Sequence, residues 1–320
     1  MTRRRLASRT TFDGNPRPPA QQEGDTAQHE EPHESAFPPP AMCAAGPAPW
    51  RDGFLADVTA MGDAPEFALA TAQPDGQPRV RFCVFRGMWA GLPPPRRRDG
   101  GGAARNAAAF ESDLPTFTTD VRSAKVAQLF AAAAAAPPVA SAPAGPVEVV
   151  FWARAAAAQW RIRGTAFVVG ADIDDDGAAG AAAVRTLVGS RMRATCTAVA
   201  AAAWSWRREV EGQFDNLSPI LRASFANPPP GSPLAADGGA ARRLGQGAAA
   251  SLDDDPVARE NFRVVVIVPD AVERLDLLDA ATAQRWLYTF EGTDGERETD
   301  DDGAQRGAIV NEWRVQELWP

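Results

Sequence analysis

EFALATAQPDGQPRVRFCVFRG, at residues 66–87, contains two runs that alternate apolar and polar side chains on either side of a short turn. The runs cover residues 66–73 and 78–87. Alternation with a period of two is typical of strands that bury one face, and the intervening PDGQ has the residues that favour a turn. The stretch therefore predicts an antiparallel β-hairpin.

Further strand-like runs follow, and they decide the fold class. They are interrupted by helical patterns that do not alternate regularly with them, as a doubly wound sheet would require. We therefore predict a mainly β fold with flanking helices (α+β), built on an antiparallel barrel. The predicted strands cover residues 114–119, 147–154, 159–170, 262–269, 271–278, 285–292 and the C-terminal run; the predicted helices begin near residues 50, 124 and 218, with a long one at 179–203.

Composition divides the chain into a tail and one domain with insertions. Residues 1–46 are rich in Pro, Gln and Glu and contain few large apolar side chains, which predicts disorder. The domain is expected at residues 47–320, with low-complexity insertions near 89–112, 131–146 and 232–258.

Charge and residue usage exclude several functions. The formal net charge of -8 argues against binding to nucleic acid or to an anionic membrane. Both histidines, His29 and His33, lie in the tail, and the 3 cysteines are far apart. A histidine-based triad and a zinc site are therefore not expected, and we predict no metal. Any catalysis would rely on a bound organic cofactor.

The sequence also bears on the compartment. No apolar run reaches the roughly 18–20 residues that a membrane span needs. The start, MTRRRLASRTTF, weakly resembles an organelle transit peptide, but it lacks the apolar core of a secretory signal. We predict a cytoplasmic protein and keep organelle targeting as an alternative.

The junction between a strand and a helix at residues 117–130 contains Lys125, the only lysine of the chain. Thr118, Thr119 and Ser123 lie beside it in sequence. Hydroxyls, a cation and the N–H groups of a helix start suit an anion. The alternative is that Asp120 or Ser123 is an ordinary helix cap and that Lys125 is a solvated residue on the first turn.

Arginines on strands form a second set of candidates. Arg79, Arg81 and Arg86 lie on the second hairpin strand, and Arg161 and Arg163 lie on a later one. An unpaired buried charge is costly, so some of these side chains are expected to bind an anion. Salt bridges on the barrel surface remain an equal alternative for Arg161 and Arg163.

Five motifs in a fixed order resemble a known family. They are FALATxxPDGxPRVRxxVFRG, FTTDxRSxK, QWRIRG, SPxxRxxFxxPPPGxP and ENFxxxxxxPxxVExLDL, with a tryptophan near the end. Together they resemble the pyridoxamine 5'-phosphate oxidase-like flavoproteins, specifically the branch of FMN-binding domains that has no assigned substrate. The resemblance covers residues 50–320, apart from the insertions.

The resemblance implies a split β-barrel homodimer that binds FMN at the subunit interface. The flavin would accept a hydride, so no catalytic side chain is identified. Arg122 is expected to supply a charge that the family's motif has at Ala124, and Gln159 to meet the flavin ring. The residues that match the family's FMN ligands are Arg81, Arg86, Thr118, Thr119, Arg122, Ser123, Lys125, Gln159 and Arg285.

The substrate side of the resemblance is incomplete. Ser218 and Arg222 match residues that hold the substrate phosphate in the better-known oxidases, but the tyrosine and the C-terminal histidine are missing. The leading interpretation is an FMN-dependent oxidoreductase with a small substrate, for which a pyridoxine or pyridoxamine phosphate-like molecule is one candidate. The alternatives are a non-catalytic FMN-binding protein with an eroded substrate pocket, and a carrier or structural dimer without flavin.

Overall fold

The computed structural model describes residues 46–92, 105–131, 140–195, 201–233, 256–279, 281–292 and 307–320. Its strands are β1 (Glu66–Ala72), β2 (Pro78–Met88), β3 (Phe110–Ser112), β4 (Pro115–Asp120), β5 (Ala142–Ala153), β6 (Ala158–Val169), β7 (Met192–Ala194), β8 (Phe262–Asp276), β9 (Gln284–Phe290), β10 (Ala308–Val310) and β11 (Trp313–Leu318). Its helices are α1 (Arg51–Thr59), α2 (Ala124–Ala131), α3 (Ala179–Gly189), α4 (Trp206–Asp215), α5 (Pro219–Ser224) and α6 (Pro256–Asn261).

Six strands close into an antiparallel barrel in the order β8, β4, β2, β1, β5 and β6, and β6 pairs back onto β8. β9, β11 and β10 extend the same sheet beyond β8. The predicted hairpin is the β1–β2 pair, in which Glu66 faces Val84 and Ala72 faces Pro78. The predicted mainly β fold with flanking helices is therefore confirmed.

Strand β8 differs from the sequence prediction, which divided it into two strands around Pro269. The structure has one strand, and Pro269 lies opposite Gly164 where the register between β6 and β8 shifts. A bulge leaves ladder positions unpaired, so a residue without an N–H is tolerated there. A Cβ at Gly164 would overlap the carbonyl oxygen of Val268, so only glycine allows this close approach.

The barrel interior is filled by aromatic and branched side chains. Phe54 of α1 is fully buried and makes edge-to-face contacts with Phe85, Phe151 and Trp160, at centroid distances of 5.7, 5.0 and 5.6 Å. Each such pair contributes about 0.5–1.5 kcal/mol beyond the burial of its area. The interior is thus a packed core, and a ligand site has to lie outside it.

A second core lies between the barrel and the helices. Phe214 of α4 packs on Phe262 of β8 at 5.1 Å, and Val184 of α3 belongs to the same cluster. The helix predicted at 179–203 was too long. Helix α3 ends at Gly189, and β7 pairs with β3, because the following Met192 is buried in this cluster as a strand residue. Helix α4 was not predicted.

Large parts of the predicted tail and insertions lie outside the described residues: 1–45, 93–104, 132–139 and 234–255. The described parts of the predicted insertions include β3, the start of β5 and the first residues of α6. In the segments that the structure covers, no helix is long and apolar enough to cross a membrane.

Candidate functional site

A cleft of about 240 Å³ opens where β4 passes into α2. One wall comes from β2, β4 and the start of α2, and the other comes from α5 and the segment around it. Pockets for whole ligands typically measure about 300–1,000 Å³, so the cleft has the size of part of such a site. The lining residues are Val84, Arg86, Thr118, Thr119, Asp120, Ser123 and Lys125, and opposite them Leu217, Leu221, Ser224, Phe225 and Pro230.

Two hydroxyls and one ammonium group converge at the start of α2. The Nζ of Lys125 donates to the Oγ1 of Thr119 at 3.1 Å and to the Oγ of Ser123 at 3.4 Å. The two hydroxyl oxygens are 3.1 Å apart. Ser123 immediately precedes α2, whose first N–H groups have no partner within the helix. The predicted grouping of Thr119, Ser123 and Lys125 is thus present, at a helix start.

The charge of Lys125 is held in a partly buried position. Burial is the main cause that lowers the pKa of Lys125 from its ordinary 10.5, and the positive charge of Arg81 adds to the lowering. Burial likewise lowers the pKa of Arg81 and raises the pKa of the Cys83 thiol. Two cations therefore lie close enough to repel each other beside the cleft, at a desolvation cost that an anion would offset.

Arg81 reaches this position from the inward side of β2, where it faces Leu69 of β1. Its Nη1 donates to the Oγ1 of Thr71 at 2.7 Å, and its Nη2 donates to the Oε1 of Gln128. Thr71 also donates to that oxygen, at 2.9 Å. Arg81 does not line the cleft, so any effect of Arg81 on a ligand there would come through its charge and its neighbours.

Arg86 lines the cleft beside a bulge in β2. The register between β2 and β4 shifts between Phe85 and Met88, and Gly87 has a φ of 102°. A positive φ favours glycine, and a bulge changes the direction of neighbouring side chains. Thr116 fixes the bulge by donating its hydroxyl to the Gly87 carbonyl at 2.8 Å.

Asp120 is the acidic member of the lining, and Arg122 binds it. The Nε and Nη2 of Arg122 donate to the two carboxylate oxygens of Asp120 at 3.0 and 2.7 Å. This hydrogen bonding raises the pKa of Arg122. Arg122 does not itself line the cleft, so the structure places it as the partner that neutralises Asp120. A direct contact of Arg122 with a phosphate stays a prediction.

The two predicted substrate residues also lie outside the lining. Ser218 caps α5 by accepting the N–H of Leu221 at 3.4 Å. Arg222 is fully buried, and its Nη1 donates to the backbone carbonyls of Asp215 and Leu217 at 3.1 and 2.9 Å. Both residues hold the backbone of the cleft's second wall.

Gln159 and Arg285 form a separate group far from the cleft. Both face Leu275 of β8 across β6 and β9, whereas Thr119 faces Arg263. Positions 263 and 275 are twelve residues apart, which corresponds to about 40 Å of extended strand. One chain therefore presents the predicted FMN ligands as two groups at different ends of β8.

Between these two groups, the outer surface of β1, β2 and β5 carries several exposed apolar side chains. Val80, Phe82 and Trp152 are 68%, 75% and 45% exposed, and we call them, with Ala68 and Val150, the outer-face patch. Phe82 faces Ala68, which in turn faces Val150. A contiguous apolar patch of this kind usually marks an interaction surface.

Strand geometry connects the outer-face patch to both groups. Side chains two apart on a strand share a face, so Phe82 leads along β2 to Val84, which lines the cleft. At the other side, Trp152 faces Gln159. The patch thus extends from the cleft to the second group of predicted ligands.

Several residues of the site had not been predicted. Gln128 lies one turn after Lys125 on the same helix, and this spacing could have indicated it. Thr71 and the apolar residues of the second wall come from distant parts of the chain, and no local pattern points to them. These residues are Leu217, Leu221, Phe225 and Pro230.

Solved structures that are similar to this chain include the following two proteins. A pyridoxamine 5'-phosphate oxidase-related, FMN-binding protein from Nostoc punctiforme PCC 73102 has 21% identity and a TM-score of 0.49, covering 85% of this chain and 98% of its own. PhzG from Burkholderia lata 383 has 16% identity and a TM-score of 0.45, covering 84% and 89%. No curated protein matches the chain.

A family model gives the sequence relationship. The model described as "Pyridoxamine 5'-phosphate oxidase, FMN-binding domain" matches residues 47–170, which include β1, β2, β4, α2 and the cation-bearing wall of the cleft. The resemblance drawn from the motifs is therefore confirmed by the match of residues 47–170 to the FMN-binding domain model of the pyridoxamine 5'-phosphate oxidase family.

Proposed function

We propose that the protein is an FMN-dependent oxidoreductase whose cleft binds the FMN phosphate, and which oxidises a small molecule by hydride transfer to the flavin. The observation that carries the proposal is the pair Lys125 and Arg81. In the described part of the chain, the hydrogen-bond acceptors of both side chains are neutral oxygens. Buried cations normally have an acidic partner, and a bound phosphate would provide one.

The chemistry of the lining fits a phosphate monoester. At neutral pH this group carries between one and a half and two negative charges and accepts several hydrogen bonds. Lys125 and Arg86 supply cations, Thr119 and Ser123 supply hydroxyl donors, and the start of α2 supplies backbone N–H groups. Binding would offset the desolvation of Lys125 and restore its pKa toward the ordinary value.

The flavin, when bound, supplies hydride acceptance, so the protein needs no nucleophile or imidazole of its own. The task of the chain is to bind and orient. Arg81 and Lys125 hold positive charge close to the cofactor. Arg122 offsets the negative charge of Asp120 by donating to both of its carboxylate oxygens. Gln159, in the second group, offers a carboxamide to the ring edge.

We also propose that two copies associate through the outer-face patch. The patch lies between the two groups of predicted ligands, and a two-fold arrangement would place it against itself. The cleft of one copy would then approach Gln159 and Arg285 of the other. A homodimer completes a site that one chain presents in two separate parts.

The dimer is tested by Phe82→Asp, which places a charge in the patch without disturbing the core. We expect the wild type to sediment as a dimer and the variant to sediment as a monomer with weakened FMN binding. The control is Leu187→Asp, on an apolar side chain of α3 that is 48% exposed. A wild-type monomer that binds FMN fully would contradict this part of the proposal.

FMN binding is tested by titrating the purified protein with FMN while following flavin absorption and fluorescence. Lys125→Ala should weaken binding by about 10- to 100-fold, because a hydrogen bond to a charged group contributes about 1.5–3 kcal/mol. Arg163→Ala, on the exposed barrel surface, is the control. The proposal fails if the wild type ignores FMN, or if both variants bind it as the wild type does.

Turnover requires a separate measurement. Small reductants are added to the FMN-loaded protein without oxygen, beginning with pyridoxine 5'-phosphate and pyridoxamine 5'-phosphate, and bleaching of the flavin absorption is recorded. Bleaching supports the oxidoreductase function.

A non-catalytic FMN-binding protein is the second candidate. Ser218 and Arg222, which the resemblance implied for the substrate phosphate, instead hold the backbone of the second wall. FMN binding without reduction by any small molecule tested would favour this candidate.

A further inference from the structure

The second wall of the cleft is apolar. Leu217 and Phe225 are buried, and Leu221 is 42% exposed beside them. The hydroxyl of Ser224, which also lines the cleft, donates to the carbonyl of Leu221 at 2.7 Å. With Pro230, these residues form a surface that we call the apolar wall. Such a surface stabilises a bound ligand by removing hydrocarbon from contact with water, and not by binding a charge.

The cations near the apolar wall face away from the cleft. Arg222 is fully buried and donates to the carbonyls of Asp215 and Leu217. Arg122 donates to the carbonyls of Phe225 and Asn227 at 3.0 and 2.9 Å. Both guanidinium groups therefore hold the wall in place from behind.

The apolar wall is fixed before any ligand binds. The carbonyl of Phe225 accepts a hydrogen bond from Asn261 at 2.9 Å in addition to that from Arg122. Residues 228–230 are all proline, which limits the conformations of the segment. A preformed surface loses little conformational entropy on binding, so it selects ligands that match it.

The distribution of charge across the cleft limits how many phosphates it can hold. Among the described lining residues, the cationic side chains are Arg86 and Lys125, and both lie on the wall opposite the apolar one. They suit one phosphate monoester. Within one copy, a phosphate on a second ligand would have to face the apolar wall, where its desolvation would not be offset. Arg285, which the proposed dimer would bring towards the cleft, already donates to Glu273 at 2.7 Å.

We propose that the substrate of this protein is a phosphate-free molecule with an apolar ring or hydrocarbon portion, which packs on the apolar wall through Leu221 and Phe225. This inference rests on the proposed function, because it assigns the cation-bearing wall to the FMN phosphate. Leu217 and Pro230 complete the contact surface. The chemistry recognised is therefore uncharged, in contrast to that of the cofactor.

The test uses the FMN-loaded protein and two probes that differ only in a phosphate, phenol and phenyl phosphate. Each is titrated while the flavin absorption spectrum is recorded. We expect phenol to perturb the spectrum at a concentration at least tenfold lower than phenyl phosphate does. Leu221→Asn should weaken phenol binding about five- to tenfold, because it removes part of the apolar contact at nearly the same volume.

The matched control is Ile220→Asn, at a neighbouring side chain that is 60% exposed and does not line the cleft. Ile220→Asn should bind FMN and phenol within twofold of the wild type. Tighter binding of phenyl phosphate, no response to phenol, or equal weakening of phenol binding in the two variants would each overturn the inference. A wild type that does not bind FMN would instead overturn the proposed function, and the inference with it.

Discussion

The cations beside the cleft and the arginines of the outer barrel face lie on the same barrel but have different partners. On the outer face, Arg161 donates to Glu148 at 2.7 Å and to Glu273 at 3.4 Å, and Arg163 donates to Asp270 at 3.0 Å. Beside the cleft, Lys125 and Arg81 donate to hydroxyl, amide and backbone oxygens.

The pKa shifts have opposite directions in these two regions. Hydrogen bonding to Glu148 raises the pKa of Arg161, whereas burial lowers the pKa of Lys125 and of Arg81. A cation paired with a carboxylate is part of the structure of the free protein. A partly buried cation without such a partner destabilises the free protein and is stabilised by an anionic ligand. The comparison therefore separates arginines that are paired within the structure from the cations that the proposed function assigns to a ligand.

Replacing one arginine from each region gives the largest expected contrast. Arg81→Met should weaken FMN binding about 10- to 30-fold, because it removes a positive charge beside the phosphate and the group that Gln128 holds. Arg161→Met should leave FMN binding within twofold. Both affinities are measured by fluorescence titration.

Equal losses of FMN affinity in the two variants would show that the outer-face arginines also act on the cofactor. The distinction between the two regions would then be wrong. Thermal unfolding of the two apoproteins controls for folding. Arg81→Met should be at least as stable as the wild type, because it removes a desolvated charge.

Converting Gln128 to an acid should make the cleft resemble the outer face. In Gln128→Glu, Arg81 gains a carboxylate partner at the oxygen that now accepts from Arg81 and Thr71. We expect apoprotein stability to rise by about 0.5–1 kcal/mol and FMN affinity to fall about five- to tenfold. Urea unfolding and FMN titration measure the two effects.

The control for this substitution is Ala127→Glu, which adds the same charge to an exposed position of α2. It should change the FMN affinity less than twofold. If Gln128→Glu stabilises the protein and leaves FMN binding unchanged, the charge of Arg81 is not used by the ligand.

The parts of the fold that could be predicted from sequence are those set by local pattern. The β1–β2 hairpin follows from alternation around a turn, and α2 follows from apolar side chains at helical spacing. The single strand β8 could not be predicted, because Pro269 is tolerated only where Gly164 of another strand allows a bulge. Likewise, the end of α3 depends on the burial of Met192 against distant residues.

The candidate site shows the same division. Thr118, Thr119, Ser123 and Lys125 could be predicted together because they follow one another at a single strand-to-helix junction. The apolar wall is more than ninety positions away in sequence, and its residues resemble ordinary core side chains until the fold is known. The contacts of Arg122 were also unpredictable, because a guanidinium in a motif does not reveal whether it faces a ligand or Asp120.

The pH dependence of apoprotein stability in the alkaline range should distinguish the cleft from the outer face. The pKa of Lys125 is lower in the folded protein than in the unfolded chain, so the folded state binds fewer protons in the window below 10.5. The destabilisation by Lys125 is full below its lowered pKa and disappears as pH rises through 10.5. Apoprotein stability should therefore rise with pH in this window.

Cys83 requires a control in this experiment, because burial raises the pKa of its thiol from 9.0 and gives the opposite pH dependence. The comparison is therefore made in Cys83→Ala, with and without Lys125→Met, by urea unfolding across the alkaline range. The rise of stability with pH should be present in Cys83→Ala and absent in the variant that also carries Lys125→Met. A rise that persists without Lys125 would show that another group causes it.

The smallest effect is expected from removing one carboxylate on the outer face. In Glu148→Gln, Arg161 keeps its contact with Glu273, and the lost pair has side chains that are 40% and 35% exposed. We expect a loss of stability below about 1 kcal/mol, measured by urea unfolding, that vanishes at about 1 M salt. A larger loss, or one that persists in salt, would mean that the outer-face arginines depend on their acids as strongly as the cleft cations depend on an anion. We expect this loss of stability to be small and screened by salt because solvent can replace a carboxylate at an exposed arginine. Solvent cannot replace an anionic ligand at the partly buried Lys125.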